Sequence, residues 1–201
     1  YKSEKLVSLY KKARDTDKRS AFGCVAVFNT KVDKETANEI MTTFVEVVAA
    51  AGFDDEAYKI LSEKTNMRLI TFENIDKLPK FEGDDTKGLF DFKVIPTGGI
   101  IVQTPFLTRI KSKNDLVKTP EITLKNGSII SVDREPTNEE YQDLLTSWYI
   151  NLGVRSNGIV IVKDGVTLAI GSGQQERVGA VEQAILKSYQ KAMDREGIKY
   201  E

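Results

Sequence analysis

No histidine occurs anywhere in the 201 residues, so a Ser-His or Cys-His nucleophile pair, or a zinc site with imidazole ligands, cannot be complete within this chain. A single cysteine, Cys24, excludes an internal disulfide and fits a reducing compartment. Charge of one sign is also missing: the formal net charge is -1, so no basic stripe marks nucleic-acid binding. No apolar run approaches the roughly 18 to 20 residues that span a bilayer, and the first residues carry no apolar core of the signal-peptide kind. A cytoplasmic placement without nucleic-acid or membrane partners is the expectation. There is no initiating methionine, and Arg195 to Glu201 runs out polar. A segment cut from a longer chain is expected from this, with a processed or tag-cleaved protein as the alternative.

What is present is ordinary for a soluble globular domain, with 40% hydrophobic and 29% charged residues. Leu6, Leu9, Tyr10 and Ala13 recur at helical spacing, and Phe22 to Phe28 is an apolar run of strand length. Asp33 is a suitable N-cap for a helix through Ile40. A strand at Phe44 to Ala49, a helix opened by Asp54 or Asp55, and a strand at Met67 to Phe72 complete this stretch. The acidic segment Glu73 to Lys87, broken by Pro79 and Gly83, reads as a surface connection. Beyond it, Pro96-Thr97-Gly98 and Asn126-Gly127 each suggest a turn between strands. Thr137 and Glu140 form a capping-box pattern ahead of a helix carrying Tyr141, Leu144, Leu145 and Trp148. Strands at Ile159 to Val162 and Val166 to Ile170 flank Lys163-Asp164-Gly165, and a long helix carries Val178, Val181, Ile185, Tyr189 and Met193. The fold class expected is a mixed-sheet α/β sandwich.

The stretch Gly171-Ser172-Gly173-Gln174-Gln175-Glu176-Arg177 follows a predicted strand and opens a predicted helix. Two glycines permit a sharp turn and close ligand approach. The helix start offers free amides, and Arg177 a permanent charge. The same pattern also describes a tight turn with an exposed arginine. It is no dinucleotide fingerprint, since Glu176 stands where the third glycine belongs. Asn157 lies at a strand mouth, where it can recognise an amide or simply form a turn. Gly23 either allows close approach to a ligand or eases packing. Cys24, inside an apolar run, reads as core and not as a nucleophile. Asp54, Asp55 and Glu56 read as helix-start charges, and no metal site is expected.

Taken in order, Ser20-Ala21-Phe22-Gly23, Val32-Asp33 and Phe44-Val45-Glu46-Val47-Val48 resemble the first half of the AICAR transformylase domain. Arg155-Ser156-Asn157, Lys163-Asp164-Gly165 and the Gly171 to Arg177 element resemble its second half, including the twenty-residue step from Asn157 to Arg177. The likeness runs over nearly the whole chain and is weakest at 73–89 and 111–133. It implies an enzyme segment that transfers formyl from 10-formyltetrahydrofolate to the 5-amino group of AICAR in purine (IMP) biosynthesis. The family domain is fused in most members to an IMP cyclohydrolase. The implied fold is a pair of cytidine-deaminase-like halves without zinc: a partial one at 1–75, a connection at 76–90 and a partial one at 91–201. A homodimer with shared active sites is implied too. By position, Gly23 and Glu46 would contact AICAR, and Asn157, the catalytic candidate, would hold its carboxamide near the reacting amine. Arg177 and Val178 would line the folate side.

The sequence departs from the family in three places. The family's Lys-His pair, which handles proton transfer, is not in this chain, so the segment alone is expected to be inactive. Glu46 stands where some relatives have aspartate, and Ala50-Ala51-Gly52-Phe53 replaces a turn that usually carries proline. Two other classes fit the same residues: a non-catalytic nucleotide- or folate-binding module, and a dimerisation scaffold. Free formate in place of 10-formyltetrahydrofolate is the alternative donor.

Overall fold

The computed structural model describes residues 4–199, the side chain of residue 76 excepted. They fall into two compact units, one made of the residues up to Ile75 and those from Thr146 onward, the other of Asp76–Leu145.

The first unit opens with α1 (Leu6–Thr16), whose Tyr10 is buried against Phe28 with ring centroids 5.8 Å apart. A short α2 (Lys18–Ala21) follows, begun by the Asp17 carboxylate accepting the Ser20 amide at 3.2 Å. Then come β1 (Cys24–Val32), α3 (Lys34–Met41), β2 (Val45–Phe53), α4 (Asp55–Ser62) and β3 (Arg68–Thr71). Helices between strands return the chain to the same end of the sheet, so the three strands run parallel in the order β1-β2-β3. Asp33 caps α3 as the sequence suggests, accepting the Thr36 amide at 2.8 Å. Asp54 makes no such cap on α4; its carboxylate pairs with Lys31 at 2.8 Å. The core holds Val32, Ile40, Val45, Val48 and Leu61, all essentially sealed from solvent. Each such side chain contributes about 1.5–3 kcal/mol by leaving water.

Strand boundaries differ from the sequence reading at both ends of β1 and at the end of β2. The first strand begins at Cys24, not Phe22, because Gly23 has φ +69°, a left-handed conformation no strand residue adopts. Both β1 and β2 also run several residues past their apolar runs, to Val32 and Phe53. Backbone pairing between them (Lys31 with Gly52, Val32 with Phe53) carries polar residues into the sheet.

The second unit holds two antiparallel hairpins, β4 (Asp91–Val94) with β5 (Ile100–Gln103) and β6 (Glu121–Thr123) with β7 (Ile129–Ser131). Gly98 and Gly127, at φ +84° and +83°, sit in their turns. Helix α5 (Asn138–Asn151) begins in this unit with the capping box read from sequence. Thr137 donates its amide to Glu140 at 2.8 Å, and Glu140 donates its own to the Thr137 hydroxyl at 3.2 Å.

Back in the first unit, β8 (Ile159–Lys163) and β9 (Val166–Gly171) form a hairpin through Asp164 and Gly165, both at positive φ. The long α6 (Arg177–Glu196) packs Ala180 and Ala184 onto β9 and ends at Gly197 in the left-handed conformation. Its last turns are tied to the chain start by Lys191–Asp17 at 2.6 Å and Arg19–Asp194 at 2.5 Å. The architecture is therefore mixed α/β, with one parallel sheet and antiparallel hairpins. No helix among the described residues is long and apolar enough to cross a membrane.

Candidate functional site

The structure gathers the candidate residues into two groups, both within the first unit. The first lies where β1 and β2 begin. Gly23 donates its amide to the Phe44 carbonyl at 2.9 Å, which fixes how the two strands enter the sheet. The space a β-carbon would fill on Gly23 lies 3.5 Å from the Phe44 ring and 3.6 Å from Glu46 Oε1. Gly23 and Glu46 thus face a common opening. Beside them the exposed rings of Phe22 and Phe44 meet at 5.2 Å, inclined by 46°. Both phenylalanines stood in the sequence motifs, but their pairing comes from strand register, which spacing does not reveal.

Cys24 adjoins this group. It is half-buried against the core, and burial pushes its thiol up, away from the reactive thiolate.

The second group is the loop between β9 and α6, laced to the segment that precedes β8. Gly173, at φ +65°, donates its amide to the Arg155 carbonyl at 2.9 Å. Asn157 follows a cis peptide bond from Ser156. Its backbone amide donates to the Gln174 carbonyl at 3.2 Å. Its side-chain Nδ2 donates to the same carbonyl at 3.0 Å and to the Gln175 carbonyl at 3.2 Å. Two carbonyls facing Nδ2 fix which way the amide points, because the reverse orientation would set oxygen against oxygen. Both amide hydrogens are spent inside the protein, so Asn157 offers a ligand its Oδ1, an acceptor.

Arg177 and Val178 open α6, both exposed. Glu176, the residue before them, makes no side-chain capping bond. At the exposed helix start the Arg177 guanidinium can meet an anionic or carbonyl oxygen. The loop rests on α6 through Gly171, and the Ser172 amide is accepted by Gln183 Oε1 at 2.8 Å. The residues from Asn157 to Arg177 thus form one assembly of a preset acceptor beside a set of donors. Among the described residues, no group of three or more thiol, imidazole or carboxylate side chains could hold a metal ion.

Residues 2–187 match the family described as AICARFT/IMPCHase bienzyme, and the chain belongs to that family. It is 36% identical over 189 residues to the bifunctional purine biosynthesis protein PurH of Persephonella marina, covering 94% of this chain and 32% of that protein. The PurH of Aquifex aeolicus is 36% identical over 92% of this chain and 31% of its own length, and that of Clostridium botulinum 38% identical over 88% and 30%. The chain thus spans about a third of the length of the curated relatives it matches.

Proposed function

We propose that this chain is a segment of an AICAR formyltransferase, a transferase of purine biosynthesis in which a formyl group passes from 10-formyltetrahydrofolate to the 5-amino group of AICAR. Family membership supports the reading, as do relatives named bifunctional purine biosynthesis proteins. The observation that carries it is the double donation from Asn157 Nδ2 to the Gln174 and Gln175 carbonyls at 3.0 and 3.2 Å. It leaves Oδ1 as a fixed acceptor.

AICAR presents amine and carboxamide N–H groups, which a fixed carbonyl oxygen can hold. Its amine is a weak nucleophile, because the lone pair is drawn into an electron-poor ring. Orientation must therefore supply much of the rate. Glu46, facing the bare side of Gly23, gives AICAR a second acceptor. The co-substrate supplies the formyl group; Arg177 and Val178 at the start of α6 fit an acidic, partly apolar donor on that side. In this reading the halves at 1–75 and 91–201 are cytidine-deaminase-like and joined by 76–90. The protein works as a cytoplasmic homodimer, and the proton-transfer pair lies outside this chain.

The test is formyl transfer to AICAR by the full-length gene product. Wild type turns over with 10-formyltetrahydrofolate, and Arg177→Ala loses roughly a hundredfold in kcat/KM, as for one preorganised donor. AICAR binding without turnover in the wild type would favour another donor or a non-catalytic module.

A further inference from the structure

We infer that Gln183 is a positioning residue of this site, holding the Gly171–Arg177 loop in the shape that aims Asn157; the inference rests on the reading above. Gly171 is the last residue of β9 in the ladder, paired with Ile159. The Ser172 amide therefore needs an acceptor from elsewhere. That acceptor is the side chain of Gln183, Oε1 lying 2.8 Å away. Positions 180, 183 and 184 of α6 share one face. Gly171 lies on that face against Ala180 and Ala184, so Gln183 points at the next peptide along.

From Ser172 the hold passes directly to the site. Gly173 donates to the Arg155 carbonyl at 2.9 Å, and the Gln174 carbonyl receives both nitrogens of Asn157, at 3.2 and 3.0 Å. An acceptor in the second turn of α6 thus sets where the Asn157 clamp stands. The role requires an acceptor of glutamine's length. Glutamate keeps one; methionine keeps the length but offers only a weak sulfur acceptor. Gln183 is half-buried and outside the core, so methionine opens no cavity.

The experiment uses the full-length gene product with Gln183→Met and Gln183→Glu, alone and combined with Asn157→Ala. Gln183→Met lowers kcat and kcat/KM by about three- to tenfold, the worth of one hydrogen bond, while the midpoint of unfolding falls only slightly, because Ser172 is exposed and water can replace the lost acceptor. Gln183→Glu restores most of the loss. In the Asn157→Ala background Gln183→Met costs nothing further, because the residue it aims is gone. Hydrogen exchange by mass spectrometry over residues 172–175 rises in Gln183→Met and not in Gln183→Glu.

Unchanged exchange in Gln183→Met, or a kcat loss that persists undiminished beside Asn157→Ala, would overturn the inference. A wild type with no formyl transfer would sink the functional reading itself, and the exchange result would still decide whether Gln183 holds the loop.

Discussion

Gly171 lies so close to Ala180 that a β-carbon on it would collide with the Ala180 carbonyl oxygen. The obstacle is helix backbone and cannot swing aside. Gly171→Ala therefore forces β9 and α6 apart and destabilises the protein by at least the 1–3 kcal/mol usual for overpacking. Denaturant unfolding checks this, and a change below about 0.5 kcal/mol, typical of a neutral surface substitution, would show that the contact is not this tight.

Gly23 makes a contrasting case. A β-carbon there has room, its nearest neighbour being the Phe44 ring at 3.5 Å, but φ is +69°. Gly23→Ala should cost about 1–2 kcal/mol of stability through backbone conformation alone. It should also weaken AICAR binding by filling the opening that Glu46 shares. Glu46→Gln, at an exposed position, should weaken AICAR binding with stability unchanged. Calorimetric titration with AICAR beside thermal unfolding separates the two effects.

Asp17 links α2 to α6, and its carboxyl titrates below the ordinary value of 3.8. Burial pushes it up, but hydrogen bonds from Lys191 and Ser20 outweigh burial. A depressed carboxyl contributes stability that is fully present above its unfolded value and lost as pH falls through the folded one. Asp17→Asn should therefore be less stable than wild type at pH 7, and the gap should close as pH drops below about 4. Urea unfolding at neutral pH and near pH 3 checks this; a gap independent of pH would exclude the carboxylate as its source.

Local chemistry was the part of this fold readable from sequence. Asp33 caps α3, Thr137 and Glu140 close the capping box, and Asp164-Gly165 turns β8 into β9. Each is a short-range hydrogen-bonding or backbone requirement that a few residues state by themselves. Helix α2 was invisible because a single turn has no apolar period. The polar stretch Asn29 to Lys31 hid the second half of β1, which pairing with β2 sustains.

The site divides in the same way. Gly173, Asn157 and Arg177 were recognisable as residue types in a motif. That Asn157 spends both amide hydrogens on Gln174 and Gln175 was not, since it depends on two loops meeting across seventeen residues. Ser172 and Gln183 are joined by a similar non-local contact, 2.8 Å long.

Formyl transfer by the full-length gene product carrying Asn157→Ala or Asn157→Asp decides whether Asn157 acts through a fixed acceptor oxygen. Alanine removes the acceptor, and aspartate sets an oxygen against two backbone carbonyls, so both should lose roughly a hundredfold or more in kcat/KM with 10-formyltetrahydrofolate and AICAR. Wild-type turnover by either variant would show that the Asn157 oxygen does not hold the substrate.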